Sequence, residues 1–220
     1  MQKAEAHWNQ LHDNPRFRPL YPNDHVVRFM MANRALAARS CPRFLDIGTG
    51  AGRHTKLAAD LGFLPYGVDI SFVGLQHAHQ RLQEAGARHW LAQASMVGIP
   101  FCDNSFVVVL SYGVFNYGTA AEMKQAIREI HRVLAPDGKT FVMLRTVDDY
   151  RFGRGKRLEP HTFQLEIADT NEQGTIQHFL AAEDIPAYFA DFSTVSFEKT
   201  ETTVAARTRV DSDWLITAEK

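Results

Sequence analysis

Strand and helix signals alternate along most of this chain. The strongest β signal is Phe106-Val107-Val108-Val109-Leu110, apolar at every position, as a strand must be when helices cover both faces of a parallel sheet. Earlier, Phe44-Leu45-Asp46-Ile47 reads as a short strand, Gly48 to Gly52 as a glycine-rich turn and Arg53 to Leu61 as a helix. A strand ending at Asp69, a helix from Ser71 and a strand around Arg88 to Leu91 follow. Thr119-Ala-Ala-Glu122 is a capping-box signature, and the helix it opens runs to Leu134 before Pro136-Asp137-Gly138 turns the chain into a strand at Thr140 to Leu144.

The flanks are less regular. Residues 2–12 read as a helix stopped by Asp13-Asn14-Pro15, and a second helix runs roughly from Asp24 to Arg39. Beyond Arg145, the alternating segments Thr162 to Ile167 and Thr175 to Phe179 predict two antiparallel strands around a turn at Asn171 to Gly174. A helix near Glu183 to Phe189 and strands near Thr194 to Thr200 and Asp211 to Ala218 close the chain.

Strand–helix alternation with helix-length connections implies right-handed crossovers and a doubly wound, Rossmann-like α/β sheet. In such sheets ligands bind outside the C-terminal strand ends at the switch point, which brings the Gly48–Gly52 turn, Asp69 and the Ser111 region to one crevice. The 220 residues suit one domain with a core that needs no disulfide or metal staple.

Composition narrows the function. A net charge of -1 and an isoelectric point near 6.8 disfavour general binding to nucleic acid or anionic membrane. No apolar run has the length of a signal peptide or membrane span, and Cys41 and Cys102 lie far apart without a Cys-x-x-Cys partner. Together these predict a cytoplasmic protein with two buried thiols. His77 and His79, two apart on a helix, do not share a face, so no metal site is expected.

Asp46-Ile47-Gly48-Thr49-Gly50-Ala51-Gly52 places an Asp-x-Gly-x-Gly-x-Gly turn between a strand and a helix. A dinucleotide fingerprint would put its third glycine at position 53, where this chain has Arg53. The spacing instead resembles motif I of the class I S-adenosylmethionine-dependent methyltransferases. Ile99-Pro100-Phe101-Cys102-Asp103-Asn104-Ser105-Phe106 and Arg128 to Gly138 are similar to two further family motifs, so the resemblance covers about residues 43 to 145.

The resemblance implies a seven-stranded sheet, mostly parallel with an antiparallel last strand, and a small antiparallel insertion after strand five. It divides one domain into N-terminal helices and lid (1–40), cofactor core (43–145), acceptor-site insertion (146–182) and closing helix and strand pair (183–220). The implied cofactor is S-adenosyl-L-methionine, which leaves as S-adenosyl-L-homocysteine. Its expected residues are Asp46, Gly48, Thr49, Gly50 and Gly52 in the turn, and Asp69, accepting from the ribose hydroxyls, with Ile70 against adenine and Ser71 beside it. Arg53 and His54 at the helix start are expected near the methionine carboxylate, and Ser111 and Tyr112 at the floor. Where many relatives carry an aspartate for the adenine amino group this chain has Ser95, with the Met96 backbone N–H beside it, and Val107 replaces a common aspartate.

The acceptor is expected to be a small molecule, because the segment after strand four lacks the Pro-Pro-aromatic pattern of enzymes that methylate nucleic-acid bases. Phe115, Asn116 and Tyr117 in that segment, and Tyr21 from an N-terminal lid shared with Trp8 and Phe17, are expected to contact it. Arg145, Arg151, Arg154 and Arg157 concentrate positive charge in the insertion, which predicts an anionic acceptor held by Arg145, Arg154 and Arg157. His161 is the general-base candidate by position. Two readings stay beside this one: a cofactor-binding regulatory subunit, kept open by Ser95 and Val107, and a nicotinamide-dependent oxidoreductase, which Arg53 opposes.

Overall fold

Five parallel strands build the first part of the sheet in the computed structural model, which describes residues 2–168 and 170–220. They are β1 (Arg43–Ile47), β2 (Leu64–Asp69), β3 (Trp90–Gln93), β4 (Phe106–Tyr112) and β5 (Leu134–Arg145). Two long strands complete it, β9 (Thr194–Val204) and β10 (Arg209–Glu219), in the order β3-β2-β1-β4-β5-β10-β9. Only the last strand runs against its neighbours, pairing antiparallel with both β5 and β9.

Side chains of successive strand residues point to opposite faces, and the core divides accordingly. Leu45, Ile47 and Val109 pack with α5 (Ala120–Val133), whose Met123, Ile127 and Ile130 are buried. Phe44, Val108 and Leu110 pack on the other face with Val26, Phe29 and Met30 of α2 (Asp24–Ala32) and Ala58 of α3 (Arg53–Asp60). The capping box of α5 forms as predicted: Thr119 Oγ1 accepts from the Glu122 N–H, and Glu122 accepts from the Thr119 N–H at 2.8 Å.

Chain order reverses at β1, so the C-terminal ends of β1 and β4 flank the expected crevice. The helix α4 (Phe72–Glu84) leads from β2 to β3, and α1 (Gln2–Asp13) packs against it.

Several elements differ from the sequence-based expectation. The second helix stops at Ala32, where the Asn33 amide donates to the Phe29 carbonyl, and a 3-10 turn at Arg34–Ala38 takes over. The Pro136-Asp137-Gly138 turn is absorbed into β5 as an irregularity: Asp137 is left-handed (φ 57°) and the register with β4 slips between Phe106 and Val108. The insertion has three strands instead of two, β6 (Gly155–Glu159), β7 (Thr162–Leu165) and β8 (Ile176–His178), because the basic stretch before His161 also pairs. Its core is Phe163, Leu165, Ile167 and Phe179. The closing helix is short, a 3-10 turn at Ala182–Asp184 followed by α6 (Ile185–Tyr188). Cys41 and Cys102 are exposed, which corrects the expectation of buried thiols. Among the described residues no helix is long and apolar enough to cross a membrane.

Candidate functional site

Three glycines of the turn after β1 adopt left-handed backbone, Gly48 at φ 74°, Gly50 at 50° and Gly52 at 78°. Two serve packing. A Cβ on Gly48 would collide with Val114 Cγ2, and one on Gly52 would lie 3.0 Å from the Ala78 Cα in α4. Gly50 differs, since the atom closest to such a Cβ is His12 Nε2, at 3.2 Å, in a side chain from α1.

Asp69 ties this turn to the end of β2. Its Oδ2 accepts from the Gly50 N–H and its Oδ1 from the Ser71 N–H, both at 2.8 Å. Burial pushes the carboxyl pKa up, while these N–H donors and nearby His12 oppose the rise. Beneath the turn, Asp46 is buried and accepts from Thr55 Oγ1 at 2.8 Å, with Thr49 hydrogen-bonded to the same hydroxyl. Burial raises the Asp46 pKa to about 6.

The other expected cofactor residues divide. Ser71 is buried and caps α4 through the Gly74 N–H at 3.0 Å; Ile70 offers its carbonyl to Gln93 Nε2 at 2.9 Å. Ser95 makes only a long contact, Oγ accepting from the Val97 N–H at 3.4 Å, and Met96 reaches Gly118 in the loop after β4. Ser111 is buried with no partner for its hydroxyl among the described residues, and Tyr112 continues the strand with its pKa raised by burial to about 12. His54 is held by α2: its Nε2 accepts from the Asn23 N–H at 3.2 Å, and burial drops its pKa to about 3, so the ring is neutral. Arg53 lies over the Tyr112 ring at 5.9 Å and donates to the Tyr21 carbonyl at 3.5 Å.

A stripe of α1 lies on this crevice. Asn9 Oδ1 accepts from Ser71 Oγ at 2.9 Å and from the Val73 N–H at 3.2 Å. His12 Nδ1 pairs with the same serine oxygen at 2.9 Å, Glu5 accepts from Gln93 Nε2 at 2.8 Å, and Trp8 stands edge-on to Tyr117 at 4.8 Å. Trp8 thus stands against the segment after β4, whereas Tyr21 is 81% exposed.

On the acceptor side the arginine expectation needs correction. Arg145 is half-buried and donates to Glu172 Oε1 at 2.5 Å and to Gln177, and Arg151 is bonded to Glu172, Asp149 and Asp211. Burial disfavours ionisation of Glu172, but the two guanidiniums outweigh it and hold the carboxyl below its usual range. These arginines are therefore neutralised by this chain's own carboxylates. Arg154 and Arg157 are exposed, the former donating from Nε to the Tyr150 carbonyl at 3.1 Å. Tyr117 OH donates to Glu172 at 2.9 Å. Asn116 is buried, its Oδ1 accepting from the Arg145 N–H at 2.7 Å while Nδ2 has no partner among the described residues. Phe115 is core. His161 sits at the β6–β7 turn with φ 58°, against Phe152 and 3.7 Å from Asp184.

Sequence reasoning missed Glu5, Asn9, His12, Glu172 and Asp213. For α1 the signal was available, since Glu5, Asn9 and His12 recur at i, i+4 and i+7 on one helical face. Asp213, opposite Arg145 on β10, carries no sequence mark; burial lifts its pKa to about 6.

A protein-family model described as a methyltransferase domain matches residues 45–142. The chain is 30% identical over 194 residues to a demethylmenaquinone methyltransferase of Lactiplantibacillus plantarum, covering 80% of this chain and 79% of that protein. It is also 30% identical over 123 residues to the protein of the same name from Chlorobaculum parvum, where the match spans 54% of this chain but only 47% of the relative's length. Among solved structures, an S-adenosylmethionine-dependent methyltransferase from Methanosarcina mazei superposes with a TM-score of 0.71 at 19% identity, covering 87% of this chain and 96% of that one. Another from Clostridium acetobutylicum gives 0.65 at 13% identity, covering 90% and 92%.

Proposed function

This chain belongs to the class I S-adenosylmethionine-dependent methyltransferase family, and from that premise we propose that it transfers the cofactor's methyl group to a small molecule. The observation that carries the reading is the Asp69 carboxylate, buried at the end of β2 and bonded to the Gly50 N–H of the glycine turn. An acidic group in that place suits a ribose diol, and hydrogen bonds to a charged acceptor are worth roughly 1.5–3 kcal/mol. The turn fits the same ligand, because the space beside Gly50 holds no backbone atom, only the movable His12 ring.

When bound, the cofactor supplies a methyl group already activated by its sulfonium. The residues of this chain then need to bind, orient and exclude water, and orientation alone can supply on the order of 7–11 kcal/mol. Asp69 and the Gly50 turn would hold the adenosine end, and Ser111 and Asn116, whose buried Oγ and Nδ2 have no partner among the described residues, would line the reacting end. Asp213, at the crevice end of β10 with its pKa near 6, is the carboxyl suited to take a proton from the acceptor near neutrality.

The acceptor is recognised by hydrogen bonds and aromatic contact instead of charge, since Glu172 already occupies Arg145 and Arg151. The names of the curated relatives make demethylmenaquinone the first candidate. Incubating the protein with S-adenosylmethionine and a panel of acceptors that includes it, with S-adenosylhomocysteine formation as readout, tests the reading. Turnover with an uncharged acceptor supports it; turnover only with carboxylated or phosphorylated acceptors overturns the recognition mode, and cofactor binding without turnover on any acceptor favours the regulatory subunit.

A further inference from the structure

We propose that α1 and the cofactor compete for one crevice, so that this structure is a self-blocked state and loading requires α1 to swing off. The inference rests on the reading that Asp69 and the glycine turn take the adenosine. One helical stripe, Glu5, Trp8, Asn9 and His12, contacts each wall of that crevice. Glu5 holds Gln93 at the end of β3, Asn9 and His12 hold Ser71 after β2, His12 covers Gly50, and Trp8 meets Tyr117 after β4.

The contacts are those a ligand would otherwise make. Asn9 Oδ1 takes the Val73 N–H, an unpaired donor of the first turn of α4, and the single Ser71 hydroxyl proton. Because that proton goes to Asn9, His12 must donate from Nδ1 to Ser71 Oγ. Nε2 then carries the ring's lone pair, 3.2 Å from where a Cβ on Gly50 would stand. His12 is 8% exposed, and its ring occupies the space beside Gly50 while α1 is in place.

The attachment of α1 is also of the kind that releases. None of the three apolar clusters includes a residue of α1, and of its described residues only His12 is buried. A helix of 12 residues is marginal by itself, and one held by polar contacts opens at small cost. Asn14, whose side chain accepts from the Arg16 N–H at 3.0 Å, starts a separate 3-10 turn at Pro15–Phe17, which makes residues 13–15 the pivot.

A competing segment reduces apparent affinity by the fraction of molecules in which it has left the site. Calorimetry with S-adenosylhomocysteine on the wild type and on Asn9→Ala/His12→Ala, with hydrogen exchange of the α1 amides in the wild type, tests this. The double variant should bind about tenfold tighter or better, and ligand should increase exchange across residues 4–13. Equal or weaker binding by a folded double variant, or added protection of α1 on binding, would show a lid that closes on the cofactor and overturn the proposal while leaving the cofactor reading intact. Absence of binding by both proteins overturns that reading and the proposal with it. The exchange measurement on the wild type decides the matter even if the double variant does not fold.

Discussion

Glu172→Gln strikes the point at which the insertion is fastened to the end of β5. The carboxylate accepts from Arg145, Arg151 and Tyr117, and the side chains of both arginines are 13% exposed against 6% for Glu172. Removing one partner of a buried ion pair costs about 3–5 kcal/mol, mostly because the other charge stays behind unpaired. Arg151 keeps Asp149 at 3.1 Å and Asp211 at 2.7 Å, so the loss falls on Arg145, which forms no other salt bridge among the described residues. Glutamine still accepts from Tyr117, which places the expected loss near the lower end, at about 3 kcal/mol. In urea, with a slope of about 2–3 kcal/mol per molar for a chain of this size, the unfolding midpoint should fall by roughly 1 M at pH 7. The difference between the two proteins should vanish in acid. The folded-state pKa of Glu172 is depressed, so its contribution is present above the unfolded carboxylate value and is lost as pH falls through the folded one. A midpoint change corresponding to less than about 1 kcal/mol would mean that the arginines are solvated and free, and would return them to the pool of acceptor-binding groups.

Other perturbations read other parts of the molecule. Gly52→Ala forces a left-handed alanine into the Ala78 backbone, and strain plus overpacking should cost about 2–4 kcal/mol, seen as a melting temperature lower by roughly 5–15 °C; an unchanged melting point would mean that α4 yields freely. Asp46→Asn removes a group whose folded pKa, near 6, lies above its unfolded value. Between pH 4 and 6 the unfolded chain sheds that proton before the native one does, so wild-type stability should fall by about 3 kcal/mol relative to the variant over this range and stay level above it. A constant difference across the titration would refute the assignment. Charge reversal at exposed Arg154 and Arg157 should leave the KM for the acceptor found by the screen within about twofold; a large increase would return these arginines to acceptor binding.

The parallel core was legible because burial on both faces leaves a sequence signature, as in Phe106 to Leu110, and because glycine turns and capping boxes are local chemistry. What escaped the sequence is non-local. Thr119 and Glu122 find each other three residues apart, whereas Arg145 and Glu172 meet only once the insertion has folded, and nothing near either residue marks the other as its partner. The basic cluster was therefore read as a surface for ligands when its innermost members are internal ties. His54 shows the same limit: the start of α3 was legible, but the burial that makes the ring neutral and its hydrogen bond from Asn23 arise only in the folded chain. In the candidate site, the glycine turn, Asp69 and Ser71 came together where strand order put them, and the helix lying on them was expected only as a lid.

Calorimetric titration of S-adenosylhomocysteine into the wild type and Asp69→Ala tests the central claim most directly. The wild type should bind one equivalent saturably. The variant, checked to be folded because the Gly50 and Ser71 N–H groups lose their acceptor, should bind roughly 10- to 100-fold more weakly, as expected for the loss of about 1.5–3 kcal/mol of charged hydrogen bonding to the ribose. No heat at millimolar ligand, or equal affinity in the two proteins, would contradict the claim that this crevice holds the cofactor.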